Sequence, residues 1–235
     1  TIPAGQDGLW DFALKDNGAT QGASYCFRIV KSDGALLDAY SVIPQINILS
    51  SATLSLSFVD NGGNAVTNPN FGLGAVLASG TFQTTSGSLG DTSRRLRLAN
   101  TTYANGWNVT VAPTDGPTAV WNRSDSLAKY DFNDSGASAA DSAVDTDSLG
   151  GQLSLNPTLA TLTPQSGCSA TGVTKGSNSS FVEGTVNSVT LLSATNASQQ
   201  NCYWDFYGIG VSQTIPASQS AGTYTISLTA TAVAL

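Results

Sequence analysis

The residues with most chemistry to offer form one acidic stretch. Asp131-Phe132-Asn133-Asp134-Ser135-Gly136 continues through Asp141, Asp145, Thr146 and Asp147. Calcium takes roughly six to eight oxygens from carboxylates, amide carbonyls and backbone, which clustered Asp and Asn with glycine turns can supply. Asp131, Asn133, Asp141, Asp145 and Asp147 are therefore the candidate Ca2+ ligands. The stretch lacks the spacing of an EF-hand loop and its closing Glu, so a second reading stands beside the first: a solvated loop whose Asp side chains cap turns. A glycoside hydrolase needs two carboxylates facing across a cleft. Fifteen Asp make chance pairs easy, and no spacing singles one out. The sole Glu, Glu183, would promote a Lys–Asn cross-link only if brought to one of four amines, Lys15, Lys31, Lys129 or Lys175, and nothing in the sequence places those groups together.

Histidine is absent. That removes the usual general base and the commonest transition-metal ligand, and it excludes a Ser-His-Asp triad. No catalytic residue is assigned, and the chain is read as a non-enzyme. With nine basic against sixteen acidic residues and a pI near 4.2, a nucleic-acid partner is excluded on charge. Arg94, Arg95 and Arg97 alternate with Leu96 and Leu98, the pattern of a strand with a solvated face. No apolar run is long enough to span a bilayer. Lack of Met, and of a signal peptide, is expected of a processed product.

Of three cysteines, Cys168 and Cys202 share the C-terminal region. Tyr203-Trp204 beside the second is the aromatic setting of a disulfide in a sandwich core. A bridge is predicted there, and with it an oxidising, extracellular or cell-surface location. Cys26 is either a buried thiol in a strand over Tyr25–Val30 or the partner of a cysteine in another subunit or a removed segment. Asn-x-Ser/Thr sequons at Asn100, Asn108, Asn122, Asn133, Asn178 and Asn196 are candidate glycosylation sites. Trp10, Trp107, Trp121 and Trp204 are expected in the core rather than on a sugar platform.

The elements that must position these residues are strands. No helical apolar period exceeds two turns, whereas period-two runs recur throughout. Strands are predicted over 10–14, 24–31, 37–48, 53–59, 71–84, 94–100, 107–112, 119–121, 129–132, 152–155, 159–163, 188–195, 201–207, 211–215 and 223–232. Asn17-Gly18, Asp33-Gly34, Asn61-Gly62 and Asn105-Gly106 mark tight turns. Short strands between regular turns predict an all-β, antiparallel sandwich. Ser50-Ser51 interrupts two strand runs, so residues 1–49 are read as an N-terminal strand module and 50–235 as the main sandwich.

One phrase recurs. Thr1-Ile2-Pro3-Ala4-Gly5-Gln6 leads to Trp10, Phe12 and Leu14; Thr214-Ile215-Pro216-Ala217-Ser218-Gln219 leads to Tyr224, Ile226 and Leu228. The second copy reads as a closing strand. The first has nothing before it to close, so the chain is expected to open part-way through a β-domain and to complete its sheet on other copies.

Tyr25-Cys26-Phe27-Arg28-Ile29-Val30-Lys31-Ser32-Asp33-Gly34, Cys202-Tyr203-Trp204-Asp205, Gln213-Thr214-Ile215-Pro216-Ala217 and Ala221-Gly222-Thr223-Tyr224 resemble segments of secreted bacterial Ig-like β-sandwich surface proteins. That resemblance covers the first 45 residues and the last 90 or so better than the middle. It implies an Ig-like sandwich and a part in an appendage, surface layer or adhesin. The leading expectation is a structural protomer of an extracellular filament or surface lattice, a homopolymer joined by strand exchange. A carbohydrate-binding or adhesive module with Ca2+-held loops is the alternative, and a hydrolase using paired Asp residues comes third.

Overall fold

A computed structural model describes residues 54–67, 69–101, 106–135, 150–195, 198 and 200–235, and the backbone of 24–26 and 45–47. The chain divides into two units, Thr1–Ser51 and Ala52–Leu235. In the first unit, β1 (Ser24–Cys26) pairs antiparallel with β2 (Gln45–Asn47). The predicted strand at 10–14 and the side chain of Cys26 lie outside the described residues.

The second unit carries β3 (Leu54–Val59), β4 (Gln83–Leu89), β5 (Arg95–Asn100), β6 (Gly106–Pro113), β7 (Val120–Arg123) and β8 (Lys129–Asp131). Then come β9 (Asn133–Asp134), β10 (Gly151–Asn156), β11 (Thr161–Pro164), β12 (Val173–Lys175), β13 (Ser179–Ser180) and β14 (Val189–Thr195). β15 (Cys202–Tyr207), β16 (Ile209–Ile215), β17 (Tyr224–Thr225) and β18 (Leu228–Ala234) complete it. A single 3-10 turn, Pro157–Leu159, interrupts the strands, and no α-helix occurs among the described residues. The fold is all-β, antiparallel and sandwich-like, as the turn spacing predicts.

Three sheets make the body, in the orders β13-β10-β16-β4, β11-β15-β5-β3 and β12-β14-β6-β18, with a ribbon β17-β7-β8. The first two sheets are continuous through one long ribbon. β16 runs beside β4 from Ile209–Leu89 to Ile215–Gln83, and β15 beside β5 from Cys202–Asn100 to Phe206–Leu96. The hinge is Gly90 opposite Gly208, both at positive φ (80° and 76°), with Gly208 N–H donating to Gly90 O at 3.1 Å. Side chains resist that conformation, and a Cβ on Gly90 would also meet Tyr207 Cα at 3.1 Å.

Alternation fills the core as it should. Leu96 and Leu98 of β5, Trp107, Val109 and Val111 of β6, and Leu153 and Leu155 of β10 are all buried. Trp107 and Trp204 pack with ring centroids 5.6 Å apart, and both are fully buried, as expected. Beside them Cys168 and Cys202 form the predicted disulfide, while Trp204 Nε1–H donates to Ser169 O at 2.8 Å. Disulfides persist in oxidising compartments.

Two expectations need correction. Residues 71–84 do not form one strand: only Gln83 and Thr84 enter β4, and residues 71–79 are a strap that joins it through an isolated Leu73–Gly87 bridge and bonds from Gly74 to Ser86 and Thr85. Gly72, Gly74 and Gly80 break the apolar run, since glycine weakens a strand interior. Nor is the arginine face of β5 a solvated one. The side chains of Arg95 and Arg97 are only 17% and 19% exposed, because they lie over Asp205 of β15. Arg97 Nε and Nη2 donate to the two carboxylate oxygens at 2.7 and 2.9 Å. Gln165 Nε2 adds a bond at 3.0 Å, and the guanidiniums of Arg95 and Arg97 stack on Tyr207 and Tyr203.

Candidate functional site

The strands leave one large opening in the second unit. A groove of about 1160 Å3 lies between β4 and β18, which sit at the ends of different sheets. Its depth is formed by core residues: Val111 of β6, Leu153 of β10 and Leu191 of β14. Its rim carries Leu228 and Ala230 of β18, Ile226, and Thr85 of β4. The strap Phe71–Ser79 runs along one side. No Asp, Glu, Lys or Arg side chain lines the groove among the described residues. A sandwich open to its core on one side leaves apolar surface in water that a closed one would bury.

The edge at this groove has no second ladder partner among the described residues, although β18 also packs against β3. β18 pairs with β6 in continuous register, Leu228–Pro113 through Ala234–Trp107, and with no other strand among the described residues. Its sequence, Leu-Thr-Ala-Thr-Ala-Val-Ala, has no charge, proline or bulge. Those are the devices by which sheet edges ordinarily resist joining another chain. Val233 and Leu235 are 52% and 67% exposed. The opposite rim is half-covered: Gly74 N–H donates to Ser86 O at 2.8 Å and Thr85 Oγ1 donates to Gly74 O. The strap next touches the body where Ser218 N–H donates to Ser79 O at 2.7 Å. Between these points Val76 and Leu77 stand out in solvent, Leu77 at 85% exposure.

An aromatic group closes one end. Trp121 stacks on Tyr130 at 5.9 Å, and Tyr130 meets Tyr224 at 5.0 Å. Trp121 Nε1–H donates to the fully buried Gln213 at 2.9 Å. Gln219 Nε2 donates to the Tyr224 hydroxyl at 2.8 Å. Burial lifts the Tyr130 hydroxyl far above the ordinary tyrosine range. Trp121 is thus only partly core, unlike Trp107 and Trp204; Trp10 lies outside the described residues.

Of the candidate calcium ligands, Asp131 and Asn133 are buried, 2% and 1% exposed. Asp131 Oδ1 accepts from Phe132 N at 2.6 Å, and Asn133 Nδ2 donates to Pro117 O at 2.9 Å. The structure brings Glu183 to the same place, its N–H donating to Asn133 O at 3.0 Å. Asp141, Asp145 and Asp147 lie outside the described residues. Among those described, no three His, Cys, Asp or Glu side chains gather closely enough to hold a metal. Lys175 spends its ammonium on the carbonyls of Thr158 and Ala160. Of the sequons, Asn122 and Asn178 are exposed and Asn108 is half-buried, whereas Asn100 and Asn133 are each 1% exposed; Asn196 is outside the described set.

Sequence reading missed the groove because no residue type marks it. Its one readable signal is the uncharged alternation of 224–234. Compared with protein-family models, curated proteins and solved structures, the chain matches none. Among the described residues no helix is long and apolar enough to cross a membrane.

Proposed function

We propose that this protein is a structural protomer of an extracellular filament or surface lattice, joined to other copies by β-strand addition. The observation that carries the reading is β18: seven uncharged residues with no ladder partner on the outer edge among the described residues, whose Leu228 and Ala230 line a charge-free groove that reaches the core. Backbone hydrogen bonds supply affinity in strand addition, and pockets for alternate side chains supply register. Head-to-tail contacts that do not close a ring grow into a polymer. The disulfide fits an extracellular setting. The reading assigns no catalytic residue.

Negative-stain microscopy and light scattering on purified protein test it. The expected result is concentration-dependent polymer, abolished by Thr231→Lys with Val233→Lys, two changes on the outward face of β18 that put charge on the edge. A monodisperse monomer at every concentration refutes the proposal.

The alternative, a carbohydrate-binding surface module, draws support from Trp121, Tyr130 and Tyr224 at the groove end. Aromatic faces pack on sugar rings, and Ca2+ held near Asp131 and Asn133 would steady the segment that carries them. A chelator-sensitive glycan-array signal from protein that stays monomeric would favour it.

A further inference from the structure

The proposed strand addition leaves open which segment enters the groove, and the repeated phrase of the sequence bears on that question. The second copy of the phrase forms part of the wall: Ile215, Pro216, Tyr224, Ile226 and Leu228 all line the groove. A sequence that already contributes one side of this uncharged space recurs, with larger side chains at Trp10 and Phe12 and the same one at Leu14.

Resting on the strand-addition reading, we infer that the groove receives the Leu9–Leu14 segment of a second copy of this chain, laid along the outer edge of β18. Three features converge. The first is charge. In an extended segment successive side chains alternate, so Trp10, Phe12 and Leu14 share one face while Asp11 falls on the other with Leu9 and Ala13. The uncharged face matches a groove without charged side chains, and Asp11 would be left towards solvent. The second is size. Small residues stand on both rims between the larger Leu228 of β18 and Leu73 and Val76 of the strap: Ala230 on β18, and Ala75 and Ala78 on the strap. Large incoming residues against small standing ones interdigitate, and the 1160 Å3 of space accommodates two aromatic rings. The third is the ladder. Among the described residues β18 pairs only with β6, so its other edge offers N–H and C=O groups that a strand of any side-chain sequence can use. Strand addition takes affinity from that backbone and selectivity from the alternate side chains; here the selective face is Trp10-Phe12-Leu14.

Cysteine cross-linking of the full chain tests this. One preparation carries Phe12→Cys, a second Ala230→Cys, and both carry Cys26→Ser so that Cys26 cannot take part in the cross-link. A second pair, Leu14→Cys with Ala230→Cys, covers the neighbouring register. On mixing under mild oxidation, a heterodimer should form in at least tenfold excess over what either preparation gives with the Cys placed instead at exposed Thr174 on β12, the far end of the sheet that β18 terminates. A chain bearing both cysteines should give covalent multimers rather than a closed monomer. A concentration-independent intramolecular bridge overturns the inference, because the segment would then lie on its own body. Polymers seen by microscopy without any cross-link in either register also overturn it while sparing the filament reading. Absence of polymers in the unmodified protein removes that reading instead, and a glycan signal from such monomers would give the groove to sugar.

Discussion

Removing Arg97 should cost more than removing Arg97 and Asp205 together. Asp205 is fully buried on the outer face of its sheet, under a bidentate guanidinium at 2.7 and 2.9 Å. Arg97→Met leaves that carboxylate in place with Gln165 at 3.0 Å and Arg95 at 3.6 Å. Breaking a buried pair from one side costs about 3–5 kcal/mol, since the remaining charge has lost both water and partner. Two residual contacts put this case at the low end, about 3 kcal/mol. With a urea slope of about 2 kcal/mol/M, the midpoint should fall by about 1.5 M. Arg97→Met with Asp205→Leu replaces the pair by apolar groups of similar reach, a change that is often neutral. The double variant should lie within about 1 kcal/mol of the parent, apart from the lost stacking on Tyr203, worth about 0.5–1 kcal/mol. Urea unfolding followed by emission of the buried Trp107–Trp204 pair reads the unit that contains the change. If the single variant loses under 1 kcal/mol, or the double loses as much as the single, the clamp is not a desolvated charge pair and the reasoning fails.

Two further outcomes follow from side-chain chemistry. Cys168 and Cys202 are 34 residues apart, so loop-closure entropy sets the loss for Cys168→Ser with Cys202→Ser at about 4 kcal/mol; a reductant should lower the parent's thermal midpoint to match, and a smaller shift would mean that the reduced chain keeps residual structure. Asp60, Asp91 and Asp125 all titrate below the ordinary carboxylate range, held by Asn64, Arg94 and Arg123 respectively. Depressed carboxylates stabilise the fold above their unfolded pKa and cease to do so as pH falls through the folded value. The three loops should therefore loosen only below the ordinary Asp range. Salt should raise Asp91 and Asp125, which face guanidiniums, and leave Asp60, which faces an amide and backbone N–H groups. Carboxyl NMR titration at low and high salt checks this, and equal salt shifts at all three would contradict the assignment.

Strand positions were legible wherever one face is apolar and the other polar. Leu54–Val59, Arg95–Asn100 and Gly106–Pro113 fall within a residue or so of their predicted limits for that reason. Thr85–Leu89 was not legible, because Thr-Ser-Gly-Ser carries no apolar alternation; its place in β4 comes from pairing with β16. The short strands β12 and β13 are equally silent, being set by tertiary neighbours. The disulfide was legible from Tyr203-Trp204. The Arg97–Asp205 clamp was not, since nothing local joins residues 108 positions apart. The groove arises from which strands stand at sheet ends, and that is topology rather than residue type.

The strap shows why the opening is a matter of backbone and not of composition. Leu73 sits antiparallel to Gly87, and continuing that ladder by two-residue steps would set Ala75 opposite Thr85 and Leu77 opposite Gln83. Paired residues share a face, and Thr85 is buried, so Leu77 would then turn inward and help to close the core. It stands 85% exposed instead, forgoing about 1.5–3 kcal/mol of burial. The close approach that starts the ladder is possible only because Gly87 has no side chain: a Cβ there would meet Gly72 O at 2.6 Å. Beyond Gly74 the pairing stops, and the body is left with an uncovered, uncharged channel and an apolar strap beside it. A monomer under selection for solubility alone has an inexpensive remedy, one more turn of ladder or a lysine on β18. Neither is present, which supports the proposed strand addition.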